Sequence, residues 1–255
     1  MTSLVTLAVD NISKSFGGIR AVDDVSFGVA PAEMLALIGP NGAGKSTCFN
    51  MLGGQLRPDS GAVTLDGASI TGLPPDAIWA RGVGRTFQVT ATFASMTVRE
   101  NVQTALAAAH GRTWRAIRPA RHLFVPEADA LLDQVGLLPQ ADRGAAMLAY
   151  GDLKRLELAM ALSNTPRLLL MDEPTAGMAP TERTALMALT RRLATGRGIA
   201  VLFTEHDMDV VFATADRILV LDRGHLIANG PPAAIRDDPR VREVYLGTGA
   251  TTGAH

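Results

Sequence analysis

A glycine-rich stretch that ends in a lysine and two hydroxyl residues, 39–47, points most directly to chemistry. It follows the pattern G-x-x-x-x-G-K-[ST], in which glycines let backbone N–H groups point at phosphate oxygens. A helix after the loop would add the positive end of its dipole. We predict that Lys45 reaches the β- and γ-phosphates of a nucleotide and that the Ser46 hydroxyl ligates Mg²⁺. The predicted nucleotide-contacting residues of this loop are Gly39, Pro40, Asn41, Gly42, Ala43, Gly44, Lys45, Ser46 and Thr47.

Polar residues of matching chemistry occur elsewhere in the chain. Asp172 and Glu173 follow the apolar run 168–171, and His206 follows a later run of the same kind. We predict that Asp172 holds the Mg²⁺, that Glu173 polarises an attacking water, and that His206 contacts the γ-phosphate. Gln88 is predicted to complete the shell of metal and water. Taken singly, a carboxylate after a strand is often a helix cap and a lone histidine is usually structural, but together these residues favour a catalytic group.

Four apolar runs predict the strands that position these residues. Met34 to Ile38 precede the glycine-rich loop, and the runs 168–171, 199–203 and 218–221 share the continuous apolar character of buried parallel strands. Because parallel strands present their carboxyl ends at one edge of a sheet, the loop and the polar residues should meet there. The sequence therefore predicts an α/β fold with a parallel-sheet core.

Two other segments differ from this core. Residues 5–30 alternate between apolar and polar side chains, which predicts antiparallel strands joined at the glycines 17–18. Residues from about 90 to 160 are predicted to be helical, and the run Thr-Val-Arg-Glu at 97–100 is a capping box. Phe16, beside the predicted turn, is equally consistent with a core position and with a surface on which adenine stacks.

Composition excludes several classes of protein. The 255 residues carry 24 Lys and Arg against 25 Asp and Glu, whereas a nucleic-acid binder normally has a basic excess. The single cysteine, Cys48, excludes an internal disulfide and a cysteine-rich zinc site, and we expect it to pack as a small apolar residue. No apolar run approaches the ~18 residues of a spanning helix, and the start shows no secretory signal. We expect a protein that stays inside the cell.

With these motifs in place, the chain resembles the nucleotide-binding subunits of ABC transporters along nearly its whole length. The segments that carry the resemblance are Phe16 as the aromatic A-loop, 39–47 as Walker A, Gln88 as the Q-loop, 148–152 as the signature, 168–172 as Walker B with Glu173 as catalytic base, 176–179 as the D-loop, and His206 as the switch histidine. The segments 84–88, 95–101 and 238–247, with the tyrosine in the signature, resemble the branched-chain amino-acid importers and their urea and amide relatives.

The resemblance implies a P-loop NTPase (RecA-like) parallel-sheet core with an N-terminal antiparallel β subdomain and an α-helical insert. The ABC ATPase domain would cover residues 1–247, and 248–255 would be a flexible tail. Two cassettes would sandwich two ATP molecules with Mg²⁺, each ATP meeting Ala149 and Gly151 of the opposite chain. Expected partners are transmembrane permease subunits, a second ABC ATPase subunit and, indirectly, a periplasmic solute-binding protein, with no nucleic acid. The expected location is the cytoplasmic face of the inner membrane.

Three positions depart from the family pattern. The signature usually has serine at Ala149 and glutamine at Asp152, and the D-loop usually has an acidic or amide residue at Ala179. A carboxylate at a helix start suits the dipole but would repel phosphate if it faced the nucleotide. These departures lie on the face assigned to the partner's ATP, so we predict a non-identical partner cassette and an asymmetric pair.

Three alternatives stay open at this point. A non-transport ABC ATPase generally fuses two cassettes or inserts long coiled coils, and this sequence shows one cassette and no sustained heptads. A P-loop kinase would carry a second substrate site and no signature. An exporter cassette, for example for lipid, is the alternative that the sequence separates least well.

Overall fold

The computed structural model describes residues 5–86, 92–111 and 123–246. Its larger sheet has six strands in these ranges, in the order β10-β9-β3-β8-β7-β6. All neighbours pair in parallel except β9 and β10. The predicted parallel core is therefore confirmed. The strands are β3 (Met34–Ile38), β6 (Val83–Thr86), β7 (Leu168–Asp172), β8 (Ala200–Thr204), β9 (Arg217–Asp222) and β10 (His225–Gly230).

The register of the sheet brings three strand ends level with one another. Thr204 at the end of β8 pairs with Asp172 at the end of β7 on one side and with Leu37 of β3 on the other. The glycine-rich loop begins directly after β3. The loop and the acidic residues therefore share one edge of the sheet, as the sequence predicts.

A second, antiparallel sheet has the order β2-β1-β4-β5 among the described residues. Its first two strands form a hairpin that turns at the glycines 17–18, so the predicted N-terminal antiparallel segment is confirmed. The strands are β1 (Leu7–Phe16), β2 (Ile19–Val29), β4 (Ser60–Leu65) and β5 (Ala68–Ser69).

Helices connect the strands, and three of them, α3, α4 and α5, lie between β6 and β7 in the chain. The helices of the described ranges are α1 (Lys45–Leu52), α2 (Pro75–Ala80), α3 (Val98–Ala109), α4 (Val125–Gln134), α5 (Tyr150–Ala161), α6 (Pro180–Arg197), α7 (Met208–Thr214), α8 (Pro232–Asp237) and α9 (Pro239–Leu246). None of them has the length and apolar composition that a membrane span requires.

The predicted capping box opens α3. The Glu100 N–H donates to the Thr97 hydroxyl over 3.1 Å, and the Thr97 N–H donates to the Glu100 carboxylate over 2.8 Å. The buried stripe of this helix consists of Val98, Val102 and Leu106, because side chains four residues apart share a face. Ala105, which precedes Leu106 in the helix, is partly exposed.

Alternation along the central strand separates two apolar cores. Leu35 and Leu37 face the antiparallel sheet and α1, whereas Met34, Ala36 and Ile38 face the helices α3 to α7. Cys48 is fully buried in the first core, as predicted, and burial raises the pKa of its thiol to about 12. A buried strand with two apolar faces explains the uninterrupted apolar runs of the sequence.

Candidate functional site

The glycine-rich loop packs so closely on its surroundings that two positions exclude any side chain. A Cβ on Gly44, whose φ is +104°, would lie 2.2 Å from the Ala21 carbonyl oxygen. A Cβ on Gly39 would lie 2.2 Å from the Leu221 carbonyl oxygen at the end of β9. These contacts hold the loop against β2 and β9 in a conformation that only glycine adopts without strain.

Lys45 begins α1 and is only 8% exposed. Its Nζ donates to the Gly39 carbonyl over 2.6 Å and to the Pro40 carbonyl over 3.0 Å. Burial lowers the pKa of this ammonium, and the nearby carboxylates of Glu173 and Asp172 oppose that shift. The Lys45 ammonium is therefore close enough to the carboxylates of Asp172 and Glu173 to interact with them electrostatically.

Thr204 joins the two acidic residues. Its hydroxyl donates to Asp172 Oδ1 over 2.8 Å and accepts the N–H of Glu173 over 3.0 Å. Glu173 has a φ of +46°, a conformation that costs a non-glycine residue ~1–3 kcal/mol and persists where its surroundings fix it. The threonine hydroxyl thus sets the direction in which the chain leaves β7.

Two further polar groups of this edge, His206 and Glu205, come from the segment after β8. His206 Nε2 lies 2.8 Å from Glu173 Oε1. The buried Glu205 carboxylate accepts from the Thr175 N–H over 2.9 Å and from its hydroxyl over 2.6 Å, which fixes the loop after Glu173. Sequence reasoning assigned no role to Thr204 or Glu205, although both follow an apolar run at the predicted edge.

The Thr204→Val substitution tests the bridging hydroxyl. Valine has nearly the same shape but cannot bond Asp172 or the Glu173 N–H, so we expect kcat for ATP hydrolysis to fall about tenfold, the equivalent of ~1.4 kcal/mol. The Kd for ATP should stay within about twofold, since the phosphate loop is untouched. Steady-state ATPase assays and nucleotide titrations measure both quantities.

Thr190→Val is the matched control for that substitution. Thr190 is 1% exposed, and its hydroxyl donates to the Leu186 carbonyl within α6. It therefore reports the effect of losing a buried threonine hydroxyl away from the site. Equal kcat values for Thr190→Val and Thr204→Val would contradict the bridging role.

Arg85, at the carboxyl end of β6, connects Asp172 to α1. Its Nη2 lies 3.9 Å from Asp172 Oδ2 and donates to Asn50 Oδ1 over 2.9 Å. Burial lowers the pKa of this guanidinium, and Asp172 opposes the shift. Gln88 lies in the segment 87–91, outside the described residues, so its predicted role stays a prediction.

Phe16 ends β1 at the hairpin turn and is 47% exposed, which excludes the core alternative. The Lys14 Nζ lies 5.8 Å from the centroid of its ring. A large exposed aromatic ring at a rigid hairpin is suited to stacking on a base, and this role stays a prediction.

The signature segment lies apart from the loop. Helix α5 packs on α3, α4, α6 and β6, whereas α1 packs on β2 and β7. Ala149 and Tyr150 at the start of α5 are exposed, and the described side chains provide no cap for its first N–H groups. The Asp152 carboxylate accepts a hydrogen bond from Gln140 Nε2 over 2.9 Å, so its partner belongs to the same chain.

A parallel sheet with a glycine-lysine loop after one strand and an acidic pair after another defines a P-loop NTPase. The ABC transporter family profile matches residues 22–176, and the profile of the branched-chain amino acid ATP-binding cassette transporters matches residues 225–251. The chain therefore belongs to the ABC transporter family and is one of its ATP-binding, ATP-hydrolysing cassettes.

Individual relatives agree with this assignment. The high-affinity branched-chain amino acid transport ATP-binding protein LivG of Salmonella typhimurium is 41% identical over 249 residues, which cover 94% of this chain and 97% of LivG. The ADP conformation of the cassette MJ1267 has a TM-score of 0.85 at 32% identity, covering 95% of this chain and 99% of that one. A dimeric post-hydrolysis structure of the cassette MJ0796 with ADP and Pi has a TM-score of 0.74 at 25% identity, covering 89% and 98%.

Proposed function

We propose that this chain powers an importer for branched-chain amino acids or related small polar solutes. The observation that carries the proposal is the likeness to LivG over nearly the full length of both chains. The match of residues 225–251 to the branched-chain amino acid transporter profile supports it independently. Both favour an importer over an exporter cassette and over a non-transport ABC ATPase.

Hydrolysis in this proposal uses the residues gathered at the sheet edge. The loop N–H groups and Lys45 bind the phosphates, and Glu173 accepts a proton from a water that attacks the γ-phosphorus. A new P–O bond forms, the bond from that phosphorus to the bridging oxygen breaks, and ADP leaves. His206, 2.8 Å from the Glu173 carboxylate, orients that carboxylate toward the water.

Magnesium fits the donors on this edge. The Ser46 hydroxyl is exposed at the start of α1, and Asp172 offers a carboxylate at the end of β7. Mg²⁺ prefers one or two such oxygen ligands completed by phosphates and water. The described residues contain no separate cluster of three or more acidic, histidine or cysteine side chains that could hold a metal. Ser46, Asp172 and the predicted Gln88 would hold the ion. When bound, it neutralises charge on the phosphates.

A second cassette would complete the site. The exposed start of α5, which none of the described side chains caps, offers N–H groups and a positive dipole end, which suit the γ-phosphate of an ATP on another chain. Ala149 supplies no hydroxyl there, and the D-loop position Ala179 supplies no polar side chain. These differences support a non-identical partner and an asymmetric pair in which the Walker side of this chain is the more active one.

The permease would dock in a cleft of about 370 Å³ between the sheet core and the insert. Trp79 of α2, Ala105 of α3 and Met160 of α5 line it, with Arg85 and Thr86 at the end of β6. The segment that holds Gln88 follows Thr86 directly. A helix of a membrane subunit in this cleft would contact the sheet core, the helical insert and strand β6, which leads to Gln88.

The Ala105→Arg substitution tests the cleft. Arginine has nearly the helix propensity of alanine, so the substitution should leave α3 intact. Its long side chain fills the cleft, so co-purification with permease subunits should fall at least about tenfold. ATP binding by the isolated chain should not change. Ala108→Arg, on the exposed face of the same helix, is the matched control. Equal co-purification of the two variants would contradict this docking site.

Transport itself is tested by reconstitution. The chain is co-expressed with candidate permease, partner-cassette and binding-protein genes from the same genome, and the complex is placed in proteoliposomes. We expect uptake of a branched-chain amino acid and ATPase stimulation that both require the loaded binding protein. ATPase stimulation by a lipid, with efflux and without the binding protein, would instead support the exporter alternative. In both outcomes the chain would act at the cytoplasmic face of the inner membrane through the permease.

A further inference from the structure

The loop after β7, residues 173–179, is joined to the loop after β8, residues 205–207, by two side chains. The first of these is Glu205, which is only 5% exposed. Its carboxylate accepts the Thr175 N–H over 2.9 Å through one oxygen and the His206 N–H over 3.2 Å through the other. This buried carboxylate fixes the start of the second loop against the first.

The second side chain is that of Arg183, near the start of α6. Its Nε donates to the Met178 carbonyl over 2.7 Å, and its Nη1 forms an ion pair with Asp207 Oδ2. The other oxygen of the Asp207 carboxylate accepts two N–H groups at the start of α7 and so caps that helix. One guanidinium therefore holds both the D-loop segment and the residue that follows His206.

His206 lies between these two connections. Its side chain is 53% exposed, and its Nε2 lies 2.8 Å from Glu173 Oε1. Since half of the imidazole faces solvent, its position depends strongly on the backbone that carries it. That backbone is held by Glu205 on one side and, through Asp207, by Arg183 on the other. Loss of the Arg183 contact would free one side of it.

We propose that Arg183 is a positioning residue for ATP hydrolysis, which holds His206 where it can orient the Glu173 carboxylate. Because the same guanidinium binds the Met178 carbonyl, it also links the position of His206 to that of the D-loop segment. This inference rests on the proposed role of His206 in hydrolysis and does not depend on the transported solute.

The Arg183→Met substitution keeps the aliphatic part of the side chain and removes the guanidinium. We expect kcat of the reconstituted transporter at saturating ATP to fall about fivefold, a change of the size that one net hydrogen bond contributes. The Kd for ATP, measured on the full chain by calorimetric titration, should stay within about twofold, since residues 39–47 are unaltered. Partly exposed ion pairs contribute little to stability, so Tm should change only slightly.

Arg191→Met is the matched control. Arg191 lies two turns further along α6, and both arginines line a cleft of about 570 Å³ between α6 and α7. Arg191 pairs with Asp216 over 2.6 Å and donates to the Thr214 carbonyl, so it makes the same kinds of bond at the end of α7. It should change Tm as much as Arg183→Met does but leave kcat unaltered. Equal losses of kcat in the two variants would overturn the proposal.

A double-substitution cycle with His206→Ala tests whether Arg183 acts through His206. Release of radiolabelled phosphate measures the low rates that remain. We expect Arg183→Met to cause no further loss of kcat when His206→Ala is present. The same fivefold loss in that background, or no loss in the unaltered chain, would overturn the proposal and leave hydrolysis with His206 standing. If His206→Ala alone left kcat unchanged, the proposed role of His206 would fail, and this inference with it.

Discussion

The Glu173→Gln variant is expected to hydrolyse ATP at least about 100-fold more slowly in the assembled transporter, while its Kd for ATP changes little. Glutamine keeps the shape of the side chain and its contact with His206 but cannot accept the proton of the attacking water. The backbone of residue 173, fixed by the Thr204 hydroxyl, should keep its position. Phosphate release and nucleotide titration measure the two effects separately.

Glu127→Gln is the control for this substitution, because Glu127 is exposed in the first turn of α4, a helix that packs on α3 and α5 and carries none of the named site residues. The equivalent glutamate of the partner cassette gives the second comparison. If the Walker side of this chain is the more active one, the partner's substitution should leave most of the ATPase rate. Equal losses from the two substitutions would contradict the asymmetric pair.

The Lys45→Met variant is expected to bind ATP about 100-fold more weakly. Methionine fills most of the space of the lysine side chain but removes an ammonium, and charged hydrogen bonds of this kind contribute ~1.5–3 kcal/mol each. The substitution also removes the bonds from Nζ to the carbonyls of Gly39 and Pro40. Titration with ATP and with ADP reports the affinity, and thermal unfolding without nucleotide reports the stability.

The thermal stability of the Lys45→Met variant shows whether weaker ATP binding comes from the lost ammonium or from a disrupted loop. The carbonyls of Gly39 and Pro40 lose a partner, but the ammonium that burial disfavours is also removed, so we expect Tm within a few degrees of the unaltered chain. Adenosine, which has no phosphates, should bind both proteins equally. Equal loss of adenosine and ATP binding would show that the substitution disrupts the loop itself and would contradict a phosphate-specific role.

The sequence alone determined the features that a few consecutive residues specify. The glycine-lysine loop, the apolar run Met34 to Ile38 and the capping box before α3 each lie within a few consecutive residues, and the structure has all three. The edge shared by the loop and Asp172 was also predictable, because the carboxyl ends of parallel strands meet. The roles of these residues in hydrolysis remain predictions.

Only the tertiary structure decided which distant groups touch. Nothing in the order of residues shows that the Thr204 hydroxyl bridges Asp172 and Glu173, that Asp152 turns to Gln140, or that Phe16 is exposed.

The same holds for the close approach of the Gly39 backbone to the Leu221 carbonyl, because these residues are about 180 positions apart in the chain. The physical reason is that a motif constrains the backbone over a few residues, whereas these contacts depend on strand register and on which side chains fill the space between elements.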